Sequence, residues 1–285
     1  MGATTSWRVG DLTITAIVEA RQAWPAELFI PEITPEVIEA NDWLRPDHVD
    51  ERNWIHLAFQ AFVVEADGAR IVVDTCIGNH KPRSLDVFDG LTTTFLDDLT
   101  HAGFPPDSID LVVCTHLHVD HVGWNTRLVD GSWVPTFPNA RYLFGEREYA
   151  HWTAESDDLD QRAVMADSVA PIMDAGLATL VASDHELSGS VRLEPTPGHT
   201  PGHHSVRLTS GADQAVITGD LLHHATQVVH PEFCSVADVD PDQARATRRA
   251  FFGRCADDGS LMIGTHLPGR TAFRVVPDGE TWRLT

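Results

Sequence analysis

Three histidines and an aspartate, His116, His118, Asp120 and His121, fall within six positions of the stretch "LVVCTHLHVDHVGWN", directly behind an apolar run. Imidazole nitrogens and carboxylate oxygens together are a ligand set for divalent transition metals. In an extended segment, side chains two positions apart point the same way, so His116 and His118 can converge on one ion as the strand ends. Asp120 and His121 are neighbours, point differently, and can serve a second ion beside the first. Buried and unpaired, such groups cost several kcal/mol. Coordination removes that cost.

The same pattern recurs three times: "LEPTPGH" ends at His199, "AVITGD" at Asp220 and "LMIGTH" at His266. One histidine at a strand end is usually a satisfied structural residue. Four strand ends with matching chemistry are better explained by a shared site.

These residues need a scaffold of strands. "LTITAIVEA" alternates as a strand does, and "FQAFVVEADGARIVVDT" reads as two strands joined by the Asp67-Gly68 turn. Residues 21–56 carry Trp24, Phe29, Trp43, Trp54 and several prolines with little periodicity. They read as an irregular aromatic-rich insertion, either packing over a core edge or forming a lid. "TTTFLDDLTHA" is a helix stopped by Gly103, "IDLVVCTHL" a buried strand, and "ARYLFG" a strand leading into a helix over 146–152. Another helix is expected over 160–177. The second half repeats the style, with strands in "VRLEPTPGH", "HSVRLTS", "AVITGD", "LMIGTH", "FRVVP" and "TWRLT" and a helix at "PDQARATRRAFFGRCA". Strand-rich halves with interspersed helices predict two packed sheets with helices outside, one unit over 1–285.

Composition narrows the partners. With 42 acidic against 20 basic residues the net charge is −22, and Lys81 is the only lysine. Nucleic acid and anionic membrane are therefore poor partners, because the phosphate interaction is repulsive. No apolar run approaches membrane-spanning length, and the first 20 residues show no secretory pattern. "MGATTS" fits the loose N-myristoylation pattern but lacks an adjacent basic patch. Cys76, Cys114, Cys234 and Cys255 are widely spaced and expected as buried free thiols, consistent with a cytoplasmic protein. A small-molecule substrate and a possible homodimer complete the expected partners.

The run "THLHVDH", followed in order by "PTPGHTPGH", "ITGD" and "GTH", resembles the metallo-β-lactamase superfamily from about Phe59 to Pro268. The resemblance implies an α/β (α+β) αββα sandwich of two mixed sheets, with a metal site at one edge. By that likeness His116, His118 and His199 hold one ion, Asp120, His121 and His266 hold the other, and Asp220 bridges them. Asp74, in "IVVDT", matches a position that supports the site. Zinc suits the histidines, and the carboxylates also suit manganese, iron or cobalt. An oxygen between two such cations loses its proton near neutral pH, which makes a nucleophile without a protein base.

Fold and metals do not choose the substrate. "PTPGHTPGHHSVRL" with Asp120 and His121 is most similar to the N-acyl homoserine lactonase branch, which implies lactone or ester opening. Asp220 stands where several β-lactamases carry cysteine, and the acidic surface argues against a nuclease. Those lactonases commonly place a tyrosine three positions after the bridging aspartate; here that position is His223. His223 is therefore expected either to act on the substrate with Asp120 or to pack with His224. "GDLLHH" and the aromatic insertion are also similar to the methyl parathion hydrolase group, which accepts aryl esters and phosphotriesters. A di-iron redox member of the fold is a further alternative, disfavoured because no flavodoxin-like or rubredoxin-like extension follows. Trp124 either lines a pocket or fills core, and His203 and His204 are expected to support ligands or to be structural rather than to be ligands.

Overall fold

A computed structural model describes residues 4–154 and 158–285; the first residues of the "MGATTS" motif lie outside them. Strands β1 (Thr5–Val9), β2 (Leu12–Pro25), β3 (Trp54–Ala66), β4 (Ala69–Val73) and β5 (Leu111–Val113) lead off the first sheet. A small hairpin of β6 (Thr126–Val129) and β7 (Ser132–Pro135) follows, and β8 (Arg141–Gly145) and β9 (Ala178–Val181) complete that sheet. Its order is β1-β2-β3-β4-β5-β8-β9, parallel from β4 to β9. The second sheet runs β10 (Val191–Pro195), β11 (His204–Ser210), β12 (Asp213–Ile217), β13 (Leu261–Ile263) and β14 (Ala272–Phe273), with β12 and β13 parallel. A terminal hairpin pairs β15 (Val275–Asp278) with β16 (Thr281–Leu284).

Alternation along the strands builds four layers. Ile71 and Val73 of β4 face inward with Val113 and meet Leu193, Val206, Leu208, Ile217 and Ile263 of the second sheet. Val72 and Val112 face out and pack under Phe95 and Leu99 of helix Phe95–His101 and Val169 and Ile172 of the 159–174 region. On the other side Val216, Met262 and Phe273 pack against Phe251, Phe252 and Cys255 of helix Pro241–Asp258. Burying each such side chain contributes roughly 1.5–3 kcal/mol. The long helix is well punctuated: Asp240 accepts from Gln243 N at 3.0 Å, Pro241 takes the first turn, and Gly259 leaves it in the left-handed region. The mixed α/β sandwich is the expected fold.

Three local expectations need correction. The β2–β3 pairing continues to Pro25↔Trp54, so both ends of the 21–56 segment are strand. Between them lie short helices Ala26–Phe29 and Pro35–Glu39 and the turn Asp42–Leu44, anchored by buried Ile30, Ile33, Ile38, Leu44 and Val49. Second, the 160–177 helix is broken by a π-helical turn at Met165–Val169, whose Asp167 accepts from Lys81 Nζ at 3.2 Å and from Arg83 at 2.7 and 2.9 Å. The only lysine is thus fully buried, with its Nζ also 3.8 Å above the Trp133 ring. Third, β5 stops at Val113, so His116 and His118 lie on a loop and not on a strand. There the Thr115 N–H is taken at 2.7 Å by the Asp74 carboxylate and not by a neighbouring strand. Among the described residues no helix is long and apolar enough to cross a membrane.

Candidate metal centre

Each candidate ligand sits just beyond a strand. His116 is three residues past β5, Asp220 three past β12, His266 three past β13 and His199 four past β10. The C-terminal ends of these strands meet at one edge of the sandwich, so the loops converge there. Gly219, at φ 54, makes the turn that delivers Asp220. Its backbone is pressed so close to His203 that a Cβ would lie 2.6 Å from the ring. His203 Nε2 in turn receives the Asp220 N–H at 2.8 Å, a supporting contact rather than a ligand position.

All seven candidate ligands come together. His199 Nε2 is 2.9 Å from His118 Nδ1 and 3.2 Å from His116 Nε2, and His266 Nε2 is 3.3 Å from His121 Nε2. Asp220 lies between the two groups: Oδ2 is 3.2 Å from His199 Nε2 and Oδ1 is 3.0 Å from His266 Nε2. Asp120 Oδ2 stands 3.6 Å from both His121 and His266.

The donor chemistry fits a pair of cations. His121 Nδ1 is 2.9 Å from Asp74 Oδ2, His199 Nδ1 2.9 Å from Asp238 Oδ1, and His266 Nδ1 2.9 Å from the Ala58 carbonyl. Each partner only accepts, so each Nδ1 carries the proton and each Nε2 turns a lone pair to the centre. Lone pairs facing one another at about 3 Å are repulsive unless a cation lies between them. Tetrahedral zinc with Zn–N near 2.0–2.1 Å separates its ligands by roughly 3.3 Å, matching this spacing. Asp220 Oδ1, buried without a hydrogen-bond partner, is a further orphan that a cation would satisfy.

The electrostatics divide the two groups: burial opposes protonation of His121 and His266, but Asp220 and Asp120 outweigh it and raise both pKa values, so this end of the centre favours positive charge. Burial and the neighbouring histidines hold His116 and His118 well below the usual histidine pKa, so both present neutral rings. Burial would raise the Asp238 carboxyl, but its bond to His199 and the charges around it hold it down at about 2. Burial likewise opposes ionisation of Asp220, and the surrounding histidines outweigh it.

The centre forms the floor of a cavity of about 850 Å³ whose wall includes Trp24, Phe29, Trp54, Leu57, Phe59 and Phe88. Arg83, Ser84, Asp160 and Gln161 make its polar side. His223 lines the cavity with Nε2 3.1 Å from Asp220 Oδ2 and Nδ1 buried without a partner. His224 is turned away, onto the His48 carbonyl and Thr226. Trp124 belongs to the core, stacked on Phe95 with its N–H on Glu19.

Sequence reading missed Asp238 and Glu148. Asp238 stands two residues before the Asp240 helix cap, where an aspartate reads as part of the capping signal. Glu148 lies on helix Glu146–Thr153 among other polar residues and reads as a surface acid, yet it is fully buried.

Residues 60–275 match the Metallo-beta-lactamase superfamily. The N-acyl homoserine lactonase AiiA of Bacillus thuringiensis subsp. kurstaki is 23% identical over 206 residues, spanning 67% of this chain and 73% of that protein. The probable metallo-hydrolase YybB of Bacillus subtilis (strain 168) is 26% identical over 140 residues, 48% of this chain and 56% of its own length. Among solved structures, the hydrolase AbOPH superposes with a TM-score of 0.81 at 24% identity, covering 100% of this chain and 97% of its own. The dizinc quorum-quenching lactonase AidC, in complex with a product, gives 0.80 at 21% identity, covering 99% and 96%. Candidate ligands in the expected order, two facing sheets and a family match over most of its length place the chain in the metallo-β-lactamase superfamily.

Proposed function

We propose that the protein is a dinuclear metal-dependent hydrolase that opens a lactone or ester, with N-acyl homoserine lactones as the best single substrate. The observation that carries this reading is Asp220, whose two oxygens are divided between two histidine groups at the floor of a largely apolar cavity. His116, His118 and His199 would hold one ion, Asp120, His121 and His266 the other, and zinc suits the donor set. A pair of divalent cations supplies Lewis acidity there, activating water and polarising a carbonyl oxygen. The chain's own residues then orient and exclude. The aromatic wall desolvates the reacting ester and accepts an acyl arm, while the polar side offers hydrogen bonds to an amide. Ring opening needs a proton for the departing alkoxide oxygen; Asp120 and His223, both lining the cavity, would take it from the attacking water and pass it to that oxygen. The four cysteines, all buried and unpaired, support a cytoplasmic setting.

Five aromatic rings in one wall favour a second reading, hydrolysis of aryl esters or phosphotriesters, because flat leaving groups stack well on such surfaces. Purified protein assayed for metal content and offered acyl homoserine lactones, aryl esters and a phosphotriester separates the two. Two equivalents of metal with lactone turnover dominant is expected. Robust triester turnover with none on lactones transfers the assignment to the second reading, and absence of bound metal with no activity on adding it removes both.

A further inference from the structure

We infer that Glu148 is a positioning residue that sets the geometry of the histidines proposed to hold the first ion; this rests on the ligand reading of His116, His118 and His199.

Glu148 is fully buried, and its carboxylate accepts four hydrogen bonds. Oε1 takes the Leu117 N–H at 3.2 Å and the Trp152 indole N–H at 2.6 Å; Oε2 takes the Thr200 hydroxyl at 2.7 Å and the Gly202 N–H at 3.0 Å. These donors have specific places. Leu117 is the residue between His116 and His118, and Thr200 and Gly202 immediately follow His199. One carboxylate therefore joins two loops whose three histidine nitrogens face one another. The far side of Leu117 is held too, its carbonyl accepting from Gln161 Nε2 at 2.8 Å. Trp152 lies with its ring 5.3 Å from that of His118, so the indole that Glu148 fixes also limits how that histidine can rotate.

The approach leaves no slack. A Cβ on Gly202 would lie 2.3 Å from Glu148 N, so only glycine lets the loop come close enough to donate. An amide in place of the carboxylate could accept at one end only, leaving its NH2 against two donors. Both loops would have to shift to relieve that contact. Contacts of this kind, one step removed from a metal, typically change affinity by about 10–100-fold.

The test is metal affinity, read without substrate. Wild type, Glu148→Gln, Thr200→Val and Glu194→Gln are titrated with zinc against a chromophoric chelator, and the cobalt-loaded forms are recorded by visible absorption, with folding checked by circular dichroism. Glu194 is a buried carboxylate paired with Arg207 and Arg254, and it touches no candidate ligand. The expected result is that Glu148→Gln binds one of two ions at least about tenfold more weakly, with an altered cobalt spectrum. Thr200→Val, which removes one hydrogen bond to that carboxylate, should lose roughly threefold, while Glu194→Gln loses stability without losing metal affinity. Glu148→Gln or Thr200→Val with both ions held at wild-type affinity, whatever the melting temperature, overturns the positioning role alone. Should Glu148→Gln not fold, Thr200→Val decides by the same criterion. A wild type that binds no stoichiometric metal overturns the ligand reading and this inference together.

Discussion

Asp238 Oδ1 lies 2.9 Å from His199 Nδ1, joining residues 39 positions apart in the chain. The carboxylate fixes the ring's tautomer and makes its other nitrogen a better donor. Arg248, fully buried, stands behind it: Nη2 is 3.8 Å from Asp238 Oδ2, and its other nitrogens hold the carbonyls of Leu221, Pro231 and Phe233. Asp238→Asn keeps an acceptor but removes the charge. Affinity for one ion should fall about 10–100-fold in a chelator competition. A value within about twofold of wild type would separate Asp238 from metal binding.

The contrast between Asp238 and Asp220 shows what sequence can carry. Asp220 ends an apolar run in an ordered series of such runs, so its type, spacing and place in the series all point to a ligand. Asp238 and Glu148 act by folding back onto distant loops, and nothing adjacent to either in the chain marks that. Turn chemistry was similarly legible: Asp67-Gly68 closes the β3–β4 hairpin, and Asp240-Pro241 and Gly259 bound the long helix. Strand ends were not. Periodicity continues through "VVCTHLH", and the chain leaves the sheet where Asp74, some 40 residues earlier, takes the Thr115 N–H. The π-helical turn at Met165–Val169 likewise depends on Asp167 meeting Lys81 and Arg83, which no local pattern shows.

His223 touches the bridging candidate Asp220 and lines the cavity, with an edge-on contact to Phe29 at 5.1 Å. Phenylalanine at this position keeps the packing and removes both nitrogens. His223→Phe should retain two metal equivalents and lower kcat for lactone opening by about 10²–10⁴-fold, the range for loss of a proton donor. An unaltered kcat would assign His223 to packing.

His204 is fully buried, and burial, opposed only weakly by contacts with the Gly202 and Cys114 backbone, pushes its pKa down to about 4. The ring is therefore neutral in the folded protein above that pH, whereas the unfolded chain takes up a proton below about 6.5. The stability contribution is whole above pH 6.5 and is lost as pH falls toward 4, at about 1.4 kcal/mol per pH unit. Urea unfolding of His204→Leu beside wild type should show a pH slope shallower by that amount in this window. Parallel slopes would mean that His204 takes no part in acid destabilisation. Any loss of metal at low pH affects both proteins and cancels in the difference.

Leu28, Leu85 and Val236 are among the large apolar side chains left most open to water, at 68%, 54% and 63% exposure, and all three line the cavity above the candidate ligands. Single exposed apolar side chains are ordinary, but three at one opening form a patch that an apolar arm of substrate can cover. If the proposed lactone is opened at the floor, a short acyl chain would end among Phe59 and Phe88 deeper in the cavity, whereas a long one would reach the rim. Leu28→Asp places a charge where only the long chain passes. KM for a long-chain acyl homoserine lactone should rise about five- to tenfold, a loss near 1–1.4 kcal/mol, which is less than full burial of a leucine contributes. KM for a four-carbon chain should hold, and so should kcat for both, because on the proposed reading the reacting carbonyl would lie at the floor, away from Leu28. Equal changes for short and long chains would place the acyl arm elsewhere, and no change for either would remove the rim from substrate binding.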